Sequence, residues 1–365
     1  MRILLVNPRG FCAGVHMAIQ VVDQALDLLP DETIYVFHEI VHNKHVVERF
    51  KRRGVRFIEE LAEAPEGAIV IYSAHGVSPR VREQAGERGL RAIDATCPLV
   101  TKVHMEAIRY AKRGWRILLI GHVNHQEVIG TLGEAPEAIT VVESVEDVAR
   151  LTIEDPERTV YLTQTTLSVD DAERIIRAIH ARHPQVKAPP SDDICYATTN
   201  RQAAVRAMAP GCDLALVIGS KNSSNSVRLT EIAESEGARA RLIDDADELE
   251  RGWFEGVERV LVTAGASAPE DLVAEVCQRL VGWFDAEIEI SSVIDEEMEF
   301  ALPLRLRELM AERGVDAGAA SIRFALPEVT AEQYGTTPLT IGMSDAGGMS
   351  DAGGMSSTGG TIDRA

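Results

Sequence analysis

Three cysteines, Cys12, Cys97 and Cys195, each stand between an extended lead-in and a helix-like segment, and this recurrence constrains the fold more than any other feature of the chain. The lead-ins are residues 3–6, 90–93 and 192–194, and the helical stretches are 15–29, 98–113 and 200–208. After each helix comes a short apolar strand that ends in a polar loop: 34–37 then 38–42, 116–120 then 121–125, and 214–218 then 219–226. Counted from its cysteine, His42 falls at +30, His125 at +28 and Ser223 at +28. A second strand and polar loop follow in each round: 68–72 with Ser73-Ala74-His75, 159–162 with Thr163-Gln164-Thr165, and 259–262 with a loop that reaches Ser267. Strands alternating with helices predict βαβ units and parallel sheets, and such sheets bind ligands beyond the carboxyl ends of their strands. The expected fold is therefore α/β, with three similar units in a pseudo-threefold arrangement whose polar loops converge on one centre.

The expected units run 1–97, 98–194 and 195–284. Residues 285–310 form a closing C-terminal segment, in which Glu299-Phe300-Ala301-Leu302 is the best strand candidate. Residues 311–365 read as a disordered low-complexity tail, because 342–359 is a six-residue repeat, GMSDAG-GMSDAG-GMSSTG, with little to bury. At 365 residues, 45% apolar and 26% charged, the chain has the composition of a globular protein. Apolar runs such as 117–120 fall far short of the roughly 20 residues a bilayer span needs, and the short apolar stretch before Asn7-Pro8 is no signal-peptide core. The expected location is the cytoplasm. Thirty-seven basic against 57 acidic residues leave a net charge of -20, so nucleic acid and anionic membrane are excluded as partners. An anionic small molecule remains compatible, since a few local donors decide binding inside a closed pocket.

The five cysteines are odd in number, and a chain of this size needs no disulfide staples. Cys212 and Cys277 sit in strongly apolar settings and read as core. Pro98 favours the first position of a helix, which places Cys97 at a helix N-terminus where the dipole favours a thiolate. Three thiolates from three units could hold zinc, which normally takes four ligands, or an iron-sulfur cluster with one iron lacking a protein ligand. His38-Glu39-Ile40-Val41-His42 matches a zinc-protease pattern, but that chemistry needs a continuous helix and the preceding residues are β-type. The stretch 219–226, rich in Ser and Asn, follows a strand and opens a helix, a suitable phosphate cradle. Neither a Walker loop nor a dinucleotide fingerprint is present, so ATP and NAD are not implied.

The segments Asn7-Pro8-Arg9-Gly10-Phe11-Cys12-Ala13-Gly14, Ala95-Thr96-Cys97-Pro98, Ile194-Cys195-Tyr196-Ala197-Thr198-Thr199-Asn200, 220–225 and 263–269 together resemble the 4-hydroxy-3-methylbut-2-enyl diphosphate reductases, over about residues 1–304. The resemblance implies three α/β domains around one 4Fe-4S cluster with Cys12, Cys97 and Cys195 as its ligands. It implies a substrate pocket of His42, His75, His125, Thr165, Ser223, Ser224, Asn225 and Ser267, with Glu127 as the proton donor. The implied reaction is the reductive dehydroxylation of an allylic alcohol diphosphate to isopentenyl and dimethylallyl diphosphates, the last step of the non-mevalonate isoprenoid pathway, with ferredoxin or flavodoxin as electron donor. One departure is Gln126, where many members carry proline; it bears on the rigidity of that loop rather than on the chemistry. Two other classes stand beside this reading: a zinc hydrolase using His38, Glu39 and His42, and a non-catalytic phosphate-ligand binder that needs only the Ser/Asn loop.

Overall fold

The computed structural model describes residues 1–315, 321–325, 330–334, 336 and 339–341. Strand β1 (Arg2–Asn7) is buried from its second residue onward, as a strand covered on both faces must be. It is followed by α1 (Ala13–Leu28), β2 (Ile34–Phe37), α2 (Lys44–Arg52), β3 (Arg56–Ile58), β4 (Ile69–Tyr72), α3 (Pro79–Glu87) and β5 (Arg91–Asp94). Next come α4 (Pro98–Lys112), β6 (Arg116–Ile120), α5 (Gln126–Glu134), β7 (Ile139–Val142), α6 (Val145–Arg150), β8 (Thr159–Thr163) and α7 (Val169–Arg182). The third stretch holds α8 (Tyr196–Met208), β9 (Leu214–Ile218), α9 (Ser224–Ser235), β10 (Arg239–Ile243), β11 (Arg259–Ala264), α10 (Glu270–Phe284) and β12 (Glu287–Ser292). It closes with β13 (Glu297–Ala301), α11 (Leu304–Glu312), β14 (Ser321–Ala325), α12 (Ala331–Tyr334) and β15 (Leu339–Ile341).

The strands form three parallel sheets, ordered β3-β2-β4-β5, β7-β6-β8 and β10-β9-β11-β1-β12-β15, beside one antiparallel pair, β13-β14. Each parallel sheet has an apolar cluster on both faces. Along β1, Ile3 and Leu5 join one cluster and Leu4 and Val6 the opposite one, because successive side chains of a strand point to opposite faces. The α/β architecture expected from the sequence is the one observed.

Three details depart from the sequence reading. Residues 3–6, taken as the opening strand of the first unit, pair instead with β11 and β12 at the far end of the chain. The strand that extends the large sheet is β12 and not 299–302, which lies mostly in β13 and pairs with β14. The stretch after Ala311, expected to be without structure, supplies β14, α12 and β15, and Tyr334 is fully buried. Its anchors, Ile322, Phe324 and Tyr334, are few, and the repeat that follows conceals them in any average of composition. The repeat itself, 342–359, lies outside the described residues. No helix among the described residues is long and apolar enough to cross a membrane.

Candidate active site

Each of the three recurring cysteines is the N-cap of a helix: Cys12 of α1, Cys97 of α4 and Cys195 of α8. At Cys12 and Cys195 the sulfur takes the place of a capping oxygen. Val15 N–H donates to Cys12 Sγ at 3.5 Å and Thr198 N–H to Cys195 Sγ at 3.4 Å, while Thr198 Oγ1 lies 3.1 Å from the same sulfur. At Gly14, in the first turn of α1, a Cβ would stand 2.5 Å from Cys97 Sγ. Only glycine allows that helix to come so close to the second cysteine. The thiols behave otherwise than the helix dipole alone suggests. Burial pushes Cys195 up to about 11 and raises Cys12 and Cys97 as well, the neighbouring thiols adding to the effect at Cys97 and Cys195. Desolvation thus outweighs the N-terminal field at all three sulfurs. Cys212 and Cys277, by contrast, are packed into apolar clusters.

All twelve residues singled out from the sequence line one pocket: the three cysteines, His42, His75, His125, Glu127, Thr165, Ser223, Ser224, Asn225 and Ser267. The histidines meet there. The rings of His42 and His75 stack with centroids 4.0 Å apart, and His125 stands edge-on to them at 5.5 and 5.9 Å. His125 caps α5, its Nδ1 accepting Glu127 N–H at 3.2 Å, so its proton resides on Nε2. Burial, reinforced by His42, lowers its pKa to about 4, and His75 is held well below the usual range by burial and its two histidine neighbours. Both are neutral donors at physiological pH.

Glu127 follows in the first turn of α5 and is buried. Thr165 N–H donates to its Oε1 at 2.6 Å and Thr165 Oγ1 to its Oε2 at 3.0 Å. Those bonds favour the carboxylate, but burial wins and lifts the carboxyl to about 7. Gln126 is the first residue of this helix, a position where proline is favoured only because its N–H has no partner within the helix. Glutamine there leaves the helix start intact.

Opposite, Ser223 caps α9, accepting Ser226 N–H, and Ser224 Oγ donates to Thr166 O at 3.2 Å. Ser267 Oγ donates to His42 O at 2.9 Å, tying the third set of loops to the first. Asn225 is buried with both amide atoms unpartnered among the described residues. A buried amide without partners is costly, and its position on the pocket wall beside a helix N-terminus suits an anionic ligand.

The zinc-protease pattern fails on geometry. Residues 38–42 form no helix, His38 adopts a positive φ of 60°, and its Nδ1 turns to Glu59 at 2.7 Å. Among the described residues no three His, Cys, Asp or Glu side chains are disposed around a single metal ion. The three thiols line one pocket instead. A multi-iron cluster offers each cysteine its own iron, so its ligands need not converge on a point, and backbone N–H groups aimed at sulfur suit its anionic thiolates. The donor set fits such a group.

Several pocket or neighbouring residues escaped the sequence reading. Thr198 stands three residues after Cys195, the spacing of a capping partner, and this was the available signal. Tyr196 Oη accepts Ala13 N–H at 3.3 Å, bridging α8 to α1. Asp193, buried, accepts from Thr163 N–H at 3.0 Å and Lys102 Nζ at 3.1 Å, and burial lifts it to about 6. Nothing in the run Ser191-Asp192-Asp193 marks it.

Parallel sheets whose loops bring buried thiols, imidazoles and a raised carboxylic acid to one pocket make an α/β protein with the donors and the acid of an active site. The chain matches the model of the LytB protein family over residues 3–281 and belongs to that family. It is 52% identical over 313 residues to the 4-hydroxy-3-methylbut-2-enyl diphosphate reductase of Rhodopirellula baltica, covering 86% of this chain and 98% of that one. It is 54% identical over 313 residues to the reductase of the same name from Streptomyces avermitilis, covering 85% and 92%. Among solved structures, the E-1-hydroxy-2-methyl-but-2-enyl-4-diphosphate reductase of Plasmodium falciparum superposes with a TM-score of 0.83 at 39% identity, covering 86% of this chain and 99% of that one. A second, described as the terminal enzyme of the non-mevalonate pathway, gives 0.57 at 35% identity, covering 77% and 100%.

Proposed function

We propose that this chain reduces 4-hydroxy-3-methylbut-2-enyl diphosphate to isopentenyl and dimethylallyl diphosphates, consuming two electrons and two protons and releasing water. The observation that carries the reading is the meeting of Cys12, Cys97 and Cys195 with Glu127 and the Ser223–Asn225 helix start in one pocket. Cys12, Cys97 and Cys195 would hold a 4Fe-4S cluster through their thiolates. When bound, such a cluster supplies the electrons and, at the iron without a protein ligand, a Lewis-acid site for the substrate hydroxyl.

The remaining work falls to the chain's own side chains. Ser223, Ser224 and the α9 N-terminus bind the diphosphate through hydroxyl and N–H donors, and the Asn225 amide NH2 finds there the acceptor it otherwise lacks. His42, His75 and Ser267 complete the cradle, with His75 held neutral by burial. Recognition by neutral donors suits a protein of net charge -20. Glu127, which burial lifts to about 7 and so keeps partly protonated near neutral pH, delivers a proton to the departing oxygen. Thr165 fixes both carboxyl oxygens and so aims the acid. Ferredoxin or flavodoxin serves as the external reductant.

The test is the visible spectrum and iron-to-sulfide ratio of anaerobically purified protein, followed by turnover of the diphosphate with a chemical reductant. A brown protein with iron and sulfide in equal amounts that forms the two products is expected. A colourless protein that retains zinc, or an iron-sulfur protein that does not bind the diphosphate, would overturn the reading.

A further inference from the structure

Beyond the residues matched by the family model, 3–281, the chain returns to the first cysteine. Arg9, three residues before Cys12, is fully buried. Its guanidinium donates to Glu270, Asn7 and, at 3.2 Å, to Tyr334 Oη, and Tyr334 in turn donates to the same Glu270 carboxylate. Tyr334 itself is fully buried. The loop it reaches is held against the loop after β11 by Gly10 N–H to Ala264 O at 3.2 Å and Cys12 N–H to Ala266 O at 3.1 Å. On the flank, Phe324 of β14 packs with Ala13 and Met17 of α1, whose N-cap is Cys12, in a cluster that also takes in Phe11, Cys97 and Leu99.

We infer that the C-terminal segment positions the Cys12 loop, Tyr334 by locking the Arg9–Glu270 pair and Phe324 by covering the start of α1. A buried guanidinium is stable only with its donors satisfied, so the tyrosine hydroxyl completes a set of partners that fixes the loop. Phe324 replaces water along the side of the helix that presents Cys12. Tyr334 and Phe324 are thus positioning residues, acting on the cysteine through Arg9 and α1. The inference rests on the proposed role of Cys12 only for its meaning in catalysis; the positioning itself is testable without a cluster.

The experiment uses the full chain with Tyr334→Phe, Tyr334→Ala and Phe324→Ala. In metal-free protein, alkylation by iodoacetamide is followed at Cys12 and Cys195 by peptide mass mapping. Tyr334→Phe, which keeps the ring and loses the hydroxyl with both its buried hydrogen bonds, from Arg9 and to Glu270, should speed labelling of Cys12 about fivefold or more. Tyr334→Ala and Phe324→Ala should speed it about tenfold or more, with Cys195 unchanged in all three. In reconstituted protein, the visible absorbance should decay faster in air in the same order. Unchanged Cys12 labelling, or equal increases at Cys12 and Cys195, would overturn the inference. Should the alanine variants fail to fold, Tyr334→Phe alone decides. A wild-type chain that assembles no cluster would defeat the proposed function, while the labelling of Cys12 would still decide this inference.

Discussion

Glu127 shows how two opposing effects on one carboxyl are settled by magnitude. Two hydrogen bonds from Thr165 pull its pKa down, burial pushes it up, and the result is about 7. A hydroxide leaves poorly, and a positioned acid contributes about 10² to 10⁴ in rate. Glu127→Gln should therefore cut turnover by roughly that factor, with iron content and diphosphate binding unchanged. A variant turning over at the wild-type rate, with electron supply in excess, would place the proton source elsewhere. Thr165→Val should give a smaller loss in the same direction. Because the acid form is the active one, kcat should fall as pH rises through about 7, a limb that Glu127→Gln should lack. The same shift bears on stability. A carboxyl with a raised folded-state pKa costs nothing while it is protonated in both states, and destabilises the fold as pH rises from its ordinary 4.5 through about 7. Glu127→Gln should thus gain on the wild type in denaturant melts above pH 8, by roughly 3 kcal/mol at most, and show no such gain near pH 4.

At the scale of elements, the sites repeat one device: a strand end, a cysteine or polar cap, and a helix. Iron measured after identical reconstitution should drop sharply in Cys12→Ser, Cys97→Ser and Cys195→Ser, and stay near wild type in Cys212→Ser and Cys277→Ser, whose sulfurs lie in apolar clusters. Gly14→Ala should match the first group, because its Cβ would fall 2.5 Å from Cys97 Sγ. Full iron occupancy in Gly14→Ala would mean that α1 shifts freely. This device was legible because it is local. Pro98 after Cys97, Ser223 before a helix and His125 two residues before Glu127 all carry their meaning within one turn. Asp193 and the Arg9–Glu270–Tyr334 set were not legible, because their partners lie far away in sequence and burial alone defines them. The tail was misread for a related reason: Phe324 and Tyr334 bury well and Ile322 in part, but they stand isolated ahead of a long Gly, Ser and Met repeat.

Across the whole molecule, Arg201 stitches together three distant stretches of chain. Fully buried, it pairs with buried Glu296 at 3.1 Å and donates to Gly10 O at 2.9 Å and Phe11 O at 3.3 Å, joining α8, the Cys12 loop and the stretch between β12 and β13. Arg201→Met should cost about 3 to 5 kcal/mol in chemical denaturation, since it strands a buried carboxylate. Converting Glu296 to Leu in the same chain should recover part of that loss; no recovery would show that the backbone bonds of Arg201 outweigh the ion pair. The sheet order around β1 has a further consequence. The strand that precedes Cys12 is made long before its two neighbours, β11 and β12. A nascent chain stalled before Arg259 therefore lacks both strands that pair with β1, and pairing between such distant strands is slow to form. The Cys12 loop therefore takes its final place only once β11 and β12 exist, whereas the sheet leading into Cys97 is already whole when that cysteine is made.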